Sequence, residues 1–226
     1  MACFPAHPNS RLTALQVDLL EGFFARDEEF FLTGGAALAG FFLGHRETND
    51  LDLFSLPGSS LDDAVRVVQE AASACRASCE MARSFAEFKR VIVSRGSERC
   101  VVDLVIDRAP ALFREKERIG IVRLDSLREI AANKVCALVG RSEIKDLIDL
   151  AELARAGVDL EQALTDAATK DGGVDPSTLA WILDQLAIGS EARLPAGVAV
   201  DELEAFRKAL LLRMRALAFD QATPAR

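Results

Sequence analysis

Two aspartates with a spacing that suits metal binding lie in the segment DLDLF. Asp50 and Asp52 are separated by one residue, and side chains two positions apart on a strand point to the same face of a sheet. Two carboxylates on one face bind hard divalent cations such as Mg²⁺. Phosphoryl and nucleotidyl transfer use such cations to neutralise a triphosphate and to activate the attacking hydroxyl. The pair therefore indicates metal-dependent chemistry on a phosphate substrate.

A pair of adjacent glycines precedes the aspartates. Gly34 and Gly35 stand between a short apolar segment and a small-residue segment, an order typical of strand, turn and helix. Amides at the start of a helix bind phosphate, and glycine lets a ligand come close to the backbone. We expect Gly34 and Gly35 to hold the triphosphate, with Thr33 beside them. Taken singly, each pattern also fits ordinary structure, because a half-exposed strand alternates in the same way and glycines are common in turns.

A third carboxylate is available on another predicted strand, CVVDLVID. Val101, Asp103, Val105 and Asp107 share one face of it. The valines predict a partly buried face, where an unpaired carboxylate is costly, and a bound metal would remove that cost. Asp103 is the predicted third metal ligand, and Asp107 is the alternative. A solvated strand residue is the structural interpretation of the same position.

The elements that must position these residues alternate between helix and strand in the first half of the chain. Apolar periodicity and turn residues define them. In chain order they are an amphipathic helix capped by Asn9 or Ser10, a strand at 30–33, a helix at 36–43, a strand at 50–54, a helix at about 60–72 and a hairpin at 87–107 that turns around Gly96.

The character of the chain changes to helix after Leu124. Ser126 and Glu129 have the spacing of a capping box, and a second helix after Ser142 is expected to end at Gly157. Three more helical segments follow, broken at residues 172–173, 175–176 and 195–197. The predicted division is a mixed α/β part over residues 1–124 and a helical domain over residues 125–226, which is an α+β chain.

Lys134 interrupts the apolar stripe of the first of these helices, four residues after Ile130 and four before Leu138. One interpretation is that its stem packs while its ammonium reaches solvent. The other is that the ammonium binds a nucleotide phosphate. On the next helix, charge pattern alone places Lys145, Asp146 and Asp149 on a solvated face.

Composition narrows the class of protein. With 27 basic and 35 acidic residues, the net charge is −8, which argues against coating nucleic acid by bulk electrostatics. Local basic clusters are still present around Arg83–Arg99 and Arg207–Arg215. The five cysteines are an odd number without a signal peptide, so we expect a cytoplasmic protein, and no apolar run is long enough to cross a membrane.

Two separated segments resemble the signatures of a known family, the AbiEii-like nucleotidyltransferases, a branch of the DNA polymerase β nucleotidyltransferase superfamily. GGAALAGFFLGHRETNDLDLF resembles its motif G-G-x-x-L … R-x-[ST]-x-D-[LI]-D-[LF]-F, and ANKVCALVGRSEIKDLIDL resembles its helical K-x-x-A-L … R … K-D-x-x-D-[LI]. The matching positions are Gly34, Gly35, Leu38, Arg46, Thr48, Asp50, Asp52 and Phe54 in the first, and Lys134, Arg141, Lys145, Asp146 and Asp149 in the second.

The resemblance implies a polymerase β-like core, a mixed sheet with flanking helices, followed by a helical domain that completes a nucleotide cleft. It implies transfer of a nucleoside monophosphate from a nucleoside triphosphate, with Mg²⁺, to a hydroxyl acceptor. The expected acceptor is RNA such as tRNA, in a toxin with a cognate antitoxin. The alternatives are a small-molecule acceptor, as in antibiotic-modifying relatives, and a non-catalytic nucleotide sensor or partner-binding module.

The same resemblance assigns residues. Asp146 or Asp149 would complete the site, and Arg46 would bind phosphate or pair with the aspartates. The implied catalytic residues are Asp50, Asp52, Lys134 and Asp146. The implied nucleotide-binding residues are Thr33, Gly34, Gly35, Arg46, Thr48, Lys134 and Lys145. The implied metal ligands are Asp50, Asp52 and Asp103.

Overall fold

A computed structural model describes residues 6–189, 194 and 198–222 of the chain. The strands in this part are β1 Phe31–Thr33, β2 Asp50–Ser55, β3 Ser78–Ser84, β4 Phe88–Arg95, β5 Glu98–Ile106, β6 Glu117–Ile119 and β7 Val122–Leu124. The helices are α1 Ala14–Phe24, α2 Gly34–Ala37 with a π-helical continuation over Leu38–Phe42, α3 Leu61–Ala74, α4 Leu127–Arg141, α5 Ile144–Arg155, α6 Leu160–Lys170, α7 Pro176–Gln185 and α8 Val200–Ala222.

The strands form one mixed sheet in the order β3-β4-β5-β2-β1-β7-β6. The pairs β2–β5 and β1–β7 are parallel, and the remaining pairs are antiparallel. β2, which carries the two aspartates, is therefore a central strand with β1 on one side and β5 on the other. The D-x-D pattern is also compatible with a half-exposed strand at the edge of a sheet, but β2 is not an edge strand.

Alternation along the strands separates a buried face of the sheet from an open one. Leu51 and Leu53 of β2 and Val102 of β5 are buried, and they lie with apolar side chains of α1 and α3 around a small internal cavity. Asp50 and Asp52 point the other way and stay half-exposed. The hydrophobic effect thus fixes which way the carboxylates face, because turning the strand over would expose its leucines.

The local sequence signals account for most element boundaries. Ser60 caps α3 by accepting a hydrogen bond from the Asp63 amide, close to the predicted start of that helix, and the hairpin of β4 and β5 turns at Gly96, as predicted, with a φ of +58°. The predicted cap of α1 was wrong. Thr13, not Asn9 or Ser10, caps that helix, in a capping box with Gln16.

The physical reason is that the preceding backbone is used for tertiary contacts. The amides of His7 and Arg11 donate to the carbonyls of Gly40 and Ala39. The side chain of Leu12 lies where a Cβ on Gly40 would stand. Residues 7–12, which include a turn at Pro8 and Asn9, are therefore held as a non-helical segment against the π-helical turn, and the helix begins only after them.

The described chain divides into two compact units. The first consists of the residues up to Arg108 together with Phe113–Ser126, and it contains the sheet. The second consists of Ala109–Leu112 and the chain from Leu127 onward, and it contains α4 to α8. The predicted α+β class is confirmed. Among the described residues, no helix combines the length and the apolar character needed to cross a membrane, and the predicted break at residues 195–197 lies outside the described residues.

Candidate active site

One row of side chains crosses four neighbouring strands on the open face of the sheet. Thr33 of β1 is paired with Asp52 of β2, Asp52 with Asp103 of β5, and Asp103 with Arg90 of β4. Directly paired residues project to the same face at the ordinary interstrand spacing of about 5 Å. The fold therefore brings together Thr33, Asp52 and Asp103, which are distant in sequence.

Gly34 stands against the Asp52 carboxylate. A Cβ at this position would lie 2.3 Å from Oδ2 of Asp52, and the backbone φ is +67°. Both facts disfavour a side chain here, one because it would push the Asp52 carboxylate away and the other because L-residues disfavour the left-handed backbone conformation. The glycine thus lets the Asp52 carboxylate lie directly beside the start of α2.

The neighbouring residue offers a polar atom that the fold leaves unused. Thr33 is 3% exposed, and its Oγ1 has no hydrogen-bond partner among the residues that the structure describes. A buried hydroxyl without a partner costs free energy. A ligand with a hydrogen-bonding atom at this end of β1 would recover that cost, which fits the predicted phosphate-binding role of Thr33.

Asp103 carries a partner that the sequence analysis did not assign to it. Arg90 Nε and Nη2 donate to its two oxygens at 2.7 and 2.6 Å. The pKa of Arg90 is raised, first by this hydrogen bond, against the effect of partial burial, and further by the charges of Asp103, Asp50 and Asp52. The guanidinium of Arg90 therefore offsets part of the negative charge of Asp50, Asp52 and Asp103. It also supplies the partner that a buried carboxylate at Asp103 needs. The sequence places Arg90 on the first strand of the predicted hairpin and Asp103 on the second. That the two residues face each other follows only from the strand register.

The donor set suits a hard cation held by few protein ligands. In the described ranges, no group of three or more acidic, histidine or cysteine side chains is arranged to hold a metal ion, and Asp103 is occupied by Arg90. Asp50 and Asp52 offer oxygen ligands on one face of β2. Mg²⁺ at nucleotide sites is commonly bound by one or two carboxylates together with substrate phosphates and water, so the pair fits such an ion.

Two residues of the segment before β2 are fixed by specific contacts. The guanidinium of Arg46 lies against Gly35, with Nη2 2.8 Å from where a Cβ would stand, and its Nη1 donates to the Glu47 carbonyl. The Thr48 hydroxyl lies 3.4 Å from the Asp50 carbonyl oxygen. Arg46 is thus close to the glycine turn, where the resemblance places phosphate.

Gln16 positions this segment, and the sequence analysis did not single it out. It is 1% exposed, and its Nε2 donates to the Thr48 carbonyl at 2.9 Å while its Oε1 accepts from the Thr13 amide. A buried amide on the apolar face of α1 therefore connects the helix to the turn before Asp50. The T-x-x-Q spacing of a capping box was the available signal.

The second signature forms a buried ion network in the second unit. The Lys134 ammonium lies 3.0 Å from Asp146 Oδ1 and 2.7 Å from Asp149 Oδ2. Arg141 binds Asp146 with two hydrogen bonds of 2.7 and 2.8 Å. Lys134 is 6% exposed, and the two aspartates are completely buried. Snorkelling of Lys134 to solvent and a solvated face for the two aspartates were wrong, because the network joins α4 to α5 inside the unit.

The charges in this network support one another. Burial lowers the pKa of Lys134, but the charges of Asp149 and Asp146 outweigh it, so the pKa is raised. Burial likewise opposes ionisation of Asp146, yet the hydrogen bond from Arg141 and the charge of Lys134 leave its pKa lowered. The lysine and Asp146 are therefore charged at neutral pH. Lys145 lies apart from them, half-exposed in an ion pair of 3.0 Å with Glu143.

Comparison with known proteins identifies a family whose model covers both signatures. The family model described as "Nucleotidyl transferase AbiEii toxin, Type IV TA system" matches residues 18–224, while no curated protein matches the chain.

Two solved structures share the fold. JHP933 from Helicobacter pylori has 18% identity and a TM-score of 0.58, covering 92% of this chain and 94% of its own. The nucleotidyltransferase toxin MenT4 (Rv2826c) from Mycobacterium tuberculosis has 18% identity and a TM-score of 0.57, covering 89% and 84%. The predicted polymerase β-like architecture is thereby confirmed. With its family model spanning both signatures, the chain belongs to the AbiEii nucleotidyltransferase toxin family.

Proposed function

We propose that this protein is a Mg²⁺-dependent nucleotidyltransferase that transfers a nucleoside monophosphate from a nucleoside triphosphate to a hydroxyl of RNA, with tRNA as the first acceptor to test. It acts as the toxin of a toxin–antitoxin system and has a cognate antitoxin. The observation that carries the proposal is the half-exposed pair Asp50 and Asp52 beside Gly34, in a chain of this family.

Asp50 and Asp52 hold the metal in this proposal. Mg²⁺ bound there would neutralise the triphosphate and lower the pKa of the acceptor hydroxyl. In the reaction, the acceptor oxygen bonds to the α-phosphorus, the bond to the β-phosphate breaks, pyrophosphate leaves and the hydroxyl proton is released. The chain contributes mainly by positioning these groups and by balancing charge.

The phosphates are held at the turn between β1 and α2. Gly34 and Gly35 present backbone amides without side chains, and the unused Thr33 hydroxyl supplies a further donor. Arg46 contributes positive charge beside Gly35. The Thr48 hydroxyl contacts the Asp50 carbonyl oxygen and holds the residues that precede β2 in position.

Asp103 is the third carboxylate of the proposal. Its pairing with Asp52 in the parallel β2–β5 register supports it over Asp107, which lies four residues further along the strand, or about 13 Å. Arg90 holds both oxygens of Asp103, so metal binding by Asp103 requires Arg90 to move toward other anions. The phosphates of a bound substrate are suitable partners for it.

The second signature takes a supporting role in this scheme. Two carboxylates, those of Asp146 and Asp149, bind the Lys134 ammonium. A direct catalytic role for Lys134 and Asp146 therefore requires that a substrate phosphate competes with these carboxylates for the ammonium. Lys145 is the more accessible cation. An effect of Lys134→Met on transfer at temperatures where the variant is fully folded would support a direct role.

The test is transfer of label to RNA. Purified protein is incubated with Mg²⁺, total tRNA and each of the four α-labelled nucleoside triphosphates in turn, with Asp52→Asn and a chelator-treated sample alongside. We expect label in RNA that requires both Asp52 and Mg²⁺. Equal labelling by Asp52→Asn refutes the metal assignment. Absence of label with every triphosphate and RNA sample refutes the RNA acceptor.

A further inference from the structure

The structure divides the basic cluster that the sequence shows around Arg83–Arg99 into two classes. Three of its five members are held by carboxylates, but Arg83 and Arg99 form no ion pair with a residue of the described chain, and both are exposed. The paired members are Lys89 with Asp62, Arg90 with Asp103, and Arg95 with Asp18 and Glu98.

The basic cluster on α8 differs in that all four of its cations take part in ion pairs. Each of its members has an acidic partner within the second unit. The pairs are Arg207 and Lys208 with Glu204, Arg213 with Glu161, and Arg215 with Asp184. Of the two clusters noted in the sequence, only the one on the sheet contains arginines that lie outside every ion pair of the described residues.

The strand register places the two free arginines on the same face as the acidic row. Arg83 of β3 is paired directly with Arg90 of β4, which continues the row of Asp52 and Asp103. Arg99 lies four residues from Asp103 on β5, so it shares that face. A β-bulge between Met81 and Arg83 sets this register. The facing pair is Arg83 and Arg90, and because Asp103 already binds Arg90, Arg83 is the member of the pair whose charge is available to an anion.

A pair of aromatic residues, the exposed Phe85 and the half-buried Phe88, lies at one end of the same face. Phe88 is two residues from Arg90 on β4, and the rings of Phe85 and Phe88 stack at a centroid distance of 6.4 Å. Arg90 lies over the Phe88 ring at 5.6 Å. Phe85, at the tip of the β3–β4 hairpin, is 63% exposed. A large apolar ring left this open on a hairpin tip is suited to a flat apolar partner.

We propose that this face of β3, β4 and β5 binds the single-stranded 3′ end of the acceptor RNA, an inference that rests on the proposed function. Unpaired bases stack on aromatic rings, and arginines bind the phosphates between them. Arg99 is paired with Ser94 of β4, which lies six residues from Phe88 on the same strand. This is about 20 Å along the strand, the length of a few nucleotides. Phe88 and Asp52 are about 12 Å apart by the same spacing.

The charge of the whole protein makes this surface selective. The net charge is −8, so a long duplex is repelled by most of the molecule, and a short single strand meets the local arginines. Glu80 of β3, paired with Ile92, is an acidic residue of β3 on this face. The surface therefore favours a flexible end over a rigid double helix.

Binding without chemistry tests the inference. The probe is a fluorescein-labelled 12-nucleotide single-stranded RNA with a free 3′-hydroxyl, and anisotropy is measured at several salt concentrations. We expect Phe85→Ala to weaken binding about tenfold and the double variant Arg83→Ala/Arg99→Ala to reduce the salt slope by about 1.4, which is two phosphate contacts on a single strand. Matched controls are Phe113→Ala, an exposed phenylalanine elsewhere, and Lys208→Ala on α8. Both controls should bind as the unmodified protein does, and circular dichroism verifies that every variant is folded.

Three results would overturn the inference: wild-type affinity in the surface variants, competition by duplex RNA as strong as by single strands, or a rise in KM for the nucleoside triphosphate equal to that for RNA. The last result would make the surface a nucleotide site. RNA binding that depends on Phe85 and Arg83 without any transfer of label supports the surface and refutes the proposed function. Transfer to RNA with unchanged KM in the variants refutes the surface alone.

Discussion

The molecule contains two acidic clusters of the same residue types with opposite environments. In the first unit, Asp50 and Asp52 are half-exposed on an open sheet face. In the second, Asp146 and Asp149 are completely buried and bound to Lys134. Carboxylates that face solvent are accessible to a ligand, whereas buried ones must satisfy their oxygens within the fold. The two clusters therefore differ in accessibility and not in residue type, and the proposed function assigns binding to the accessible one.

The largest expected effect is on the open cluster. Asp50→Asn removes a charge that the proposal assigns to metal binding, so transfer should fall about a thousandfold or more, corresponding to the several kilocalories per mole that a metal contributes. The midpoint of urea unfolding should change little, because the side chain is half-exposed. Single-turnover rates and urea titrations of the same preparation measure both. A large loss of stability would show that Asp50 belongs to the structural class.

The same isosteric change in the buried cluster should have a large effect on stability, in contrast to Asp50→Asn. Asp146→Asn leaves Lys134 and Arg141 with one partner fewer in a dry environment, and breaking a buried ion pair costs about 3 kcal/mol or more. Urea unfolding monitored by circular dichroism measures the loss. An Asn variant as stable as the wild type would contradict the structural role of the network.

A smaller effect is expected at the glycine beside the open cluster. Gly34→Ala forces a methyl group to within 2.3 Å of the Asp52 carboxylate, and a displacement of about 1 Å at a catalytic group reduces rates about a hundredfold. Gly96→Ala is the matched control, since its φ is +58° and a Cβ there meets nothing within 4 Å. Both variants should lose about 1 kcal/mol of stability. Transfer rates should differ, and equal activity would remove Gly34 from the site.

The smallest effect is a dependence of stability on pH that distinguishes the buried cluster. Because the pKa of Asp146 is lowered from its ordinary 3.8, its ionised form stabilises the fold above that pH, and the contribution is lost as the pH falls through the lowered value. The raised pKa of Lys134 adds stability below pH 10.5 that is lost in stronger base. Urea titrations between pH 5 and 3 should therefore show a smaller loss for Asp146→Asn than for the wild type. Parallel curves would exclude this contribution.

Local sequence signals predicted the elements that depend on short-range physics. The alternation in β2, the Ser60 cap and the turn at Gly96 all lie where the sequence places them. β3 was not predicted, because its side chains are almost all exposed and give no apolar alternation. β6 and β7 have three residues each, too few for a periodic signal. These strands form because neighbouring strands offer them hydrogen bonds.

By itself, the sequence determined that Asp50 and Asp52 share a face, that a glycine turn precedes them and that two signatures of one family occur in order. Those features follow from residue spacing and local backbone preference. Only the tertiary structure decided that Asp103 pairs with Arg90, that Lys134 is enclosed by two aspartates and that Arg83 and Arg99 form no ion pair with the described residues. The reason is physical: the charge state and accessibility of a side chain depend on neighbours far away in the chain, which strand register and packing bring together.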